Sequence, residues 1–374
     1  MDGELGALHS GGMENTESAG PGSGSEGFES LVRAEFAPRN TYLNTASTGL
    51  LPARTVAALT AAVRICAEGL PQDPLFADVE GARAAFARLA GVPVGRVAAG
   101  ASVAGHTGLI ATSLPSGAEV LTAEGDFSSV VNAFHVRGDL KVRAVPLERL
   151  AESVRPGTAV VAVSAAQSAD GRLADLPALR AAARTHGART YVDWSQSAGW
   201  LPLEADAYDF SVCTVHKWLL APYGAAFLVV PEDLGGLTPL LSGWYAGEDP
   251  WASCYGPVEQ LAHSARRFDA TPALFTYTGL RNSLALLEEL GVAAVRAHDL
   301  ALADRFRAGL RSLGHETVEA PGSPIVSVPG LGGRAGELDR AGVQASVRAG
   351  RLRASFHLYN TAADVDRILD VLAG

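Results

Sequence analysis

The chain is nearly free of lysine: all of its 30 basic residues are arginine except Lys141 and Lys217. Where a sequence uses arginine for ordinary positive charge, a lysine among apolar residues has a chemical purpose. An amine can lose its proton and condense with a carbonyl, which a guanidinium practically cannot. Lys217 follows the apolar run Phe210 to Thr214 and precedes Trp218-Leu219-Leu220, and lysine is seldom buried without a partner or a reaction. Upstream, the run Arg189-Thr-Tyr-Val-Asp193 ends in a carboxylate. A lone Asp at a strand end more often caps a helix, but an Asp and a Lys at the ends of two strands are what pyridoxal 5'-phosphate requires. The carboxylate keeps the pyridine nitrogen protonated, so that the ring draws electrons, and the lysine holds the aldehyde as a Schiff base.

Elements must bring those two residues together. From Arg96 to Val230, short β-branched apolar runs alternate with Ala- and Leu-rich helical stretches, which implies crossover connections and a mostly parallel sheet. Strands are expected near Arg96 to Ala99, Ala118 to Thr122, Lys141 to Val145, Ala159 to Val163, Thr190 to Asp193, Phe210 to Thr214 and Ala225 to Val230. Helices are expected near Thr55 to Glu68, Glu80 to Ala90, His106 to Thr112, Pro177 to Thr185, Tyr277 to Leu290, Val295 to Leu313 and Ala362 to Leu372. In such open α/β sheets the ligand lies beyond the carboxyl ends of the strands. The expected division is a disordered tail over 1–27, the N-terminal part of a small domain over 28–70, a large cofactor-binding domain over 71–270, and a linking helix with the rest of the small α+β domain over 271–374.

Composition excludes several function classes. A formal charge of −10 and no basic stripe argue against a nucleic-acid partner, because such binding rests on Lys and Arg neutralising phosphates. The longest apolar runs fall far short of the roughly 20 residues of a membrane helix. Cys66, Cys213 and Cys254 are far apart, so neither a disulfide framework nor a zinc site is expected, and the cytoplasm is the expected compartment. The first 27 residues are rich in Gly, Ser and Glu and lack the charged start and apolar stretch of a secretory leader.

The segment Tyr191-Val-Asp193-Trp-Ser-Gln196-Ser-Ala-Gly199, continued by Asp209-Phe-Ser-Val-Cys-Thr214-Val-His216-Lys217, resembles the class V aminotransferases. That family of fold-type I pyridoxal-phosphate-dependent enzymes includes cysteine desulfurases, kynureninase and isopenicillin N epimerase-like proteins. The resemblance runs from Thr41-Tyr-Leu-Asn44-Thr-Ala-Ser-Thr-Gly49-Leu-Leu-Pro52 to Leu352-Arg353-Ala-Ser-Phe-His-Leu-Tyr-Asn-Thr361, nearly all the chain outside the tail. It implies that Asp193 binds the ring nitrogen, Gln196 the ring hydroxyl, and Thr214 and His216 the phosphate, with Lys217 as Schiff base and proton shuttle. Ala101 and Ser102 would open a helix on the phosphate, and Phe127 would stack on the ring where many relatives have His. Arg353 would anchor the substrate α-carboxylate, a task for a bidentate guanidinium, and Asn44 would line the substrate side. Thr271 matches a motif that reaches the cofactor phosphate of a neighbouring subunit, which implies a homodimer with shared sites, although Ala270 stands where the family usually has Gly. Trp244 is a weaker candidate for the same pocket, while His106, His135 and His357 are scattered and read as structural.

Cysteine desulfurases carry a catalytic cysteine on a loop shortly before the carboxylate-binding arginine. Here Val343 to Arg353 runs straight through without one. With the carboxylate held and Lys217 taking the α-proton, three outcomes branch: loss of a side-chain group, transamination, and reprotonation at the α-carbon. The expected outcome is β-elimination or a related side-chain cleavage of an amino acid, with an aminotransferase, an epimerase and an inactive scaffold as the alternatives.

Overall fold

The computed structural model describes residues 25–374. Seven strands form one sheet: β2 (Val97–Gly100), β3 (Glu119–Ala123), β4 (Lys141–Val145), β5 (Thr158–Ser164), β6 (Arg189–Asp193), β7 (Phe210–Thr214) and β8 (Ala226–Val229). Their order is β2-β8-β7-β6-β5-β3-β4. Only β8 runs against its neighbours β2 and β7, and the remaining pairs are parallel. The seven expected strands are thus the seven observed. They were legible because both faces are covered: Val161 and Val163 of β5 enter one core, while Val160 and Ala162 enter the opposite one. A strand buried on both faces reads as a continuous apolar run.

The helices of this part are α2 (Ala53–Ala67), α3 (Asp73–Ala90), α4 (Val103–Ser113), α5 (Ser128–Val136), α6 (Leu176–His186) and α7 (Leu274–Leu290), with α1 (Ser25–Glu35) ahead of them. α6 shows how the sequence sets its ends. Asp175 accepts from the Ala178 backbone N–H at the start, and Gly187 takes the left-handed conformation at the stop, φ 69°, where glycine carries no Cβ penalty. The tail expected over 1–27 needs correction at its end, since α1 begins at Ser25; residues 1–24 lie outside the described residues.

The C-terminal lobe consists of α8 (Val292–Ser312), α9 (Ala335–Arg340) and α10 (Ala362–Ala373) with the antiparallel strands β9 (Ile325–Val328), β11 (Ser346–Arg348) and β12 (Arg351–Ser355). Its own core is built around Phe306, Val326, Leu352, Phe356 and Ile368. The N-terminal strand β1 (Thr41–Tyr42) pairs with β10 (Val343–Gln344) in the same lobe. A buried contact ties this lobe to the lysine segment. His357 Nε2 donates to the Trp218 carbonyl (3.1 Å) while its Nδ1 faces Asp299 Oδ2 (2.9 Å).

A second buried polar contact supports the edge strand β2. Arg83 on α3, 3% exposed, pairs with the fully buried Asp269 at 2.6 Å. Arg83 also donates to the Val97 carbonyl, and Asp269 accepts from the Ala99 N–H, so the pair satisfies backbone groups that no neighbouring strand reaches. Removing one partner of a buried pair leaves an uncompensated charge, which costs about 3–5 kcal/mol. Asp269→Asn is therefore expected to lower the unfolding free energy by that amount in denaturant titration. A loss below about 1 kcal/mol would show that the pair does not brace β2.

Candidate active site

Because β8 alone is reversed, the carboxyl ends of β2, β3, β5, β6 and β7 lie along one edge of the sheet. A cavity of about 370 Å³ opens there, within the usual range for a cofactor site. Of the residues expected at the site, Ser102, Phe127, Asp193, Gln196, Thr214, His216, Lys217 and Arg353 line it, while Ala101, Asn44 and Thr271 do not. A larger cavity of about 570 Å³ in the C-terminal lobe is lined by Asp304, Arg307, Arg311 and the segment 315–321. It contains neither lysine nor cysteine, and Arg307 is already bonded to Asp304 and to the carbonyls of Ala320 and Ser323.

Lys217 is 6% exposed and its amine has no hydrogen-bond partner among the described residues. The Nζ sits 4.8 Å from the centroid of the Phe127 ring. Burial lowers the Lys217 pKa, partly offset by Asp193 and reinforced by Arg353. An amine that sheds its proton easily is the form that attacks a carbonyl. The backbone around it is held from outside: the Gly49 N–H donates to the His216 carbonyl. A Cβ on Gly49 would lie 2.0 Å from the Lys217 carbonyl oxygen, so only glycine permits this approach.

Asp193, 3% exposed, accepts on Oδ1 from the backbone N–H (2.8 Å) and hydroxyl of Ser195. Its Oδ2 has no partner among the described residues. Burial pushes the carboxyl up to about 6, against the opposing pull of Ser195 and Lys217. A buried carboxylate with one oxygen left open on a cavity suits a cationic N–H donor, which a protonated pyridine provides.

The other end of the cavity suits an anion. Ser102 caps α4 and its side chain accepts from Gly105 N at 3.1 Å, which leaves the first N–H groups of an 11-residue helix facing outward. Thr214 Oγ1 lies 2.8 Å from His216 Nδ1. The His216 ring stacks on Tyr223 with centroids 3.7 Å apart, and burial, reinforced by Lys217, lowers its pKa to about 4, so it stays neutral near pH 7. An aldehyde-seeking amine, a carboxylate for a pyridinium and a helix start for a phosphate fit pyridoxal 5'-phosphate. Gln196, expected on the ring hydroxyl, already has two protein partners. Its Nε2 donates to the Ala46 carbonyl and its Oε1 accepts from Trp218 Nε1, so one amide N–H remains for a ring hydroxyl.

Phe127 is placed by a neighbour that sequence reading missed. Asp126 Oδ1 accepts from the Phe127 N–H at 2.6 Å, and Oδ2 from the Ser164 N–H at 2.8 Å, which pins the β3–α5 turn to the end of β5. Arg353 projects from β12, 1% exposed. It donates to the Ser346 hydroxyl, the Ser168 carbonyl and the Ser47 hydroxyl. Asn44 stands behind this cluster, its Oδ1 accepting from Ser47 at 2.7 Å. Trp244 instead packs with Phe76, Tyr245 and Trp251, and Thr271 is exposed away from the cavity lining. His106 is buried against the Ala226 carbonyl. Cys213 is buried in β7, and neither it nor Cys254 lines the cavity. Among the described residues no cluster of His, Cys, Asp or Glu could hold a metal ion, and no helix is long and apolar enough to cross a membrane.

Residues 108–329 match the family model described as Aminotransferase class-V. Isopenicillin N epimerase of Streptomyces clavuligerus is 30% identical over 92% of this chain and 97% of its own length. Kynureninase of Deinococcus radiodurans is 32% identical over 45% of this chain and 42% of its own. Among solved structures, a variant of C-DES with glycine covalently linked to its pyridoxal phosphate superposes with a TM-score of 0.81 and 25% identity, covering 90% of this chain and 96% of that one.

Proposed function

We propose, from the premise that this chain belongs to the class V aminotransferase family of pyridoxal-phosphate-dependent enzymes, that it is a lyase that cleaves a bond in the side chain of an amino acid. The observation that carries this reading is the combination of Phe127 beside Lys217 with a thiol-free hairpin under Arg353. β11 turns into β12 through Ala349 and Gly350 alone, both left-handed with φ 47° and 75°. That two-residue turn has no loop to carry a sulfur-accepting cysteine to the cavity, and among the described residues no cysteine lines it, which argues against persulfide-forming desulfuration. The likeness to a kynureninase supports side-chain cleavage as the class.

Each residue then has a task that its surroundings suit. Arg353 holds the α-carboxylate and so fixes which bond at the α-carbon faces Lys217. Lys217, with its pKa lowered by burial, takes the α-proton and returns it to the departing group. Phe127 covers one face and, unlike histidine, exchanges no proton, which leaves the transfer to Lys217. Asp193 keeps positive charge on the ring nitrogen. The bound cofactor supplies a sink for the electron pair released at the α-carbon.

The test is to incubate the purified holoenzyme with a panel of amino acids. A lyase releases a side-chain fragment without any added keto-acid acceptor, accompanied by ammonia and a keto acid if the bond is broken by β-elimination or by a shortened amino acid if it is cleaved within the side chain; strict dependence on an acceptor would contradict the reading and point to transamination. A second reading is epimerisation, supported by the near full-length likeness to isopenicillin N epimerase. It predicts inversion at the α-centre with the side chain intact, and the same incubation separates the two. We further propose a homodimer in which Thr271 of each subunit reaches the other's phosphate, which is consistent with its exposure outside its own cavity. A cytoplasmic location is proposed too, in keeping with three free cysteines.

A further inference from the structure

Arg348 lines the same cavity and has no role so far. It ends β11, at the tip of the hairpin whose other strand carries Arg353. The two guanidinium groups converge on one oxygen: Ser47 Oγ accepts from Arg353 Nη2 at 2.7 Å and from Arg348 Nη2 at 3.0 Å, while donating to Asn44 Oδ1. That hydroxyl is saturated, with one proton given and two accepted. Among the described residues no carboxylate lies within salt-bridge distance of either arginine, although the chain carries a charge of −10 and most of the other described arginines are paired with one. Two like charges around a neutral hydroxyl, one of them buried, repel each other unless anions lie between them. In keeping with this, burial and, after it, Arg348 lower the Arg353 pKa to about 9.

One carboxylate does not use this arrangement fully. Arg353 is buried and fixed by Ser346, Ser168 and Ser47, deep beside Lys217. Arg348 is exposed at the mouth of the cavity and, among the described residues, is held only by the Val347 carbonyl and Ser47. A substrate whose amine reaches Lys217 and whose α-carboxylate lies on Arg353 must extend its side chain outward, toward Arg348. We propose that Arg348 reads a second acid group, so that the preferred substrates are amino acids with a short acidic side chain, of aspartate to glutamate length. This rests on the reading of the site as one for amino acids. The short length follows from the shared hydroxyl, because the two Nη2 atoms can be no farther apart than their two bonds to Ser47 laid end to end.

Binding to the holoenzyme tests this without reference to turnover. The isosteric pairs aspartate/asparagine and glutamate/glutamine, together with alanine, are titrated while the cofactor's visible band is followed, with calorimetry as a second measure of Kd. In the unmodified protein one acid is expected to bind about tenfold or more tighter than its amide, the worth of one charge-assisted contact. Arg348→Gln should bring that ratio close to one by weakening the acid, with little change for alanine or the amide. The proposal is overturned if acid and amide bind equally in both pairs, or if their ratio survives in Arg348→Gln. It is also overturned if that variant weakens acid, amide and alanine alike, since Arg348 would then serve the α-carboxylate. A visible band that responds to no amino acid would contradict the amino-acid reading itself and this proposal with it.

Discussion

Lys217→Ala is expected to reduce turnover by at least about 10³-fold and to abolish the attachment of the cofactor that borohydride reduction makes permanent. The magnitude follows from two losses at one atom, a nucleophile and a general acid-base group, the latter alone worth about 10²–10⁴. No other residue can replace it. Lys141, the remaining lysine, is exposed at the start of the edge strand β4, at the opposite end of that strand from the cavity. The substitution is mild for the fold, since the Lys217 amine makes no hydrogen bond among the described residues, its carbonyl accepts from the Leu220 N–H, and the neighbouring His216 carbonyl accepts from the Gly49 N–H. Turnover within tenfold of the unmodified protein would remove Lys217 from the mechanism.

Arg353→Lys is expected to weaken amino-acid binding by about 10²–10³-fold while leaving the colour of the bound cofactor in place. A lysine keeps the charge but loses the planar fork that grips a carboxylate with two parallel bonds. Each charge-assisted bond is worth about 1.5–3 kcal/mol. The guanidinium is also oriented by Ser346, Ser168 and Ser47, and an ammonium cannot satisfy all three and still face the substrate. The visible band separates the two functions. If the band is lost along with substrate binding, Arg353 supports the cofactor or the fold, and its assignment to the α-carboxylate fails.

What the sequence made legible follows from how deeply each element is buried. β5, β6 and β7 are legible to within a residue or so of their ends because both faces are covered and the only polar residues inside the runs, Thr190 and Ser211, are small and buried. α3 begins at Asp73, earlier than the expected Glu80, because Pro74 fits the first turn of a helix instead of ending it. α5 was not expected at all. Its nine residues, Ser-Ser-Val-Val-Asn-Ala-Phe-His-Val, are rich in β-branched side chains that disfavour helix in isolation, and packing against α4 overrides that preference. Asp193 and Lys217 are readable because one ends β6 and the other follows the end of β7 by three residues, where the α/β architecture places ligands. Asp126 follows the end of β3 in the same way, and the same rule finds it. Ser47 and Arg348 had no such signal. Their meeting with Arg353 depends on the N-terminal segment crossing to β12, through the pairing of Asn44 with Ser355, and no local pattern encodes that.

The scarcity of lysine permits an unusually direct test of the central claim. The holoenzyme is reduced with borohydride, digested and mapped by mass spectrometry for the added pyridoxyl phosphate group. The account predicts one modified peptide, with the group on Lys217 and bleaching of the visible band in proportion to it. Modification of Lys141, or full reduction of the cofactor with Lys217 unmodified, would contradict it.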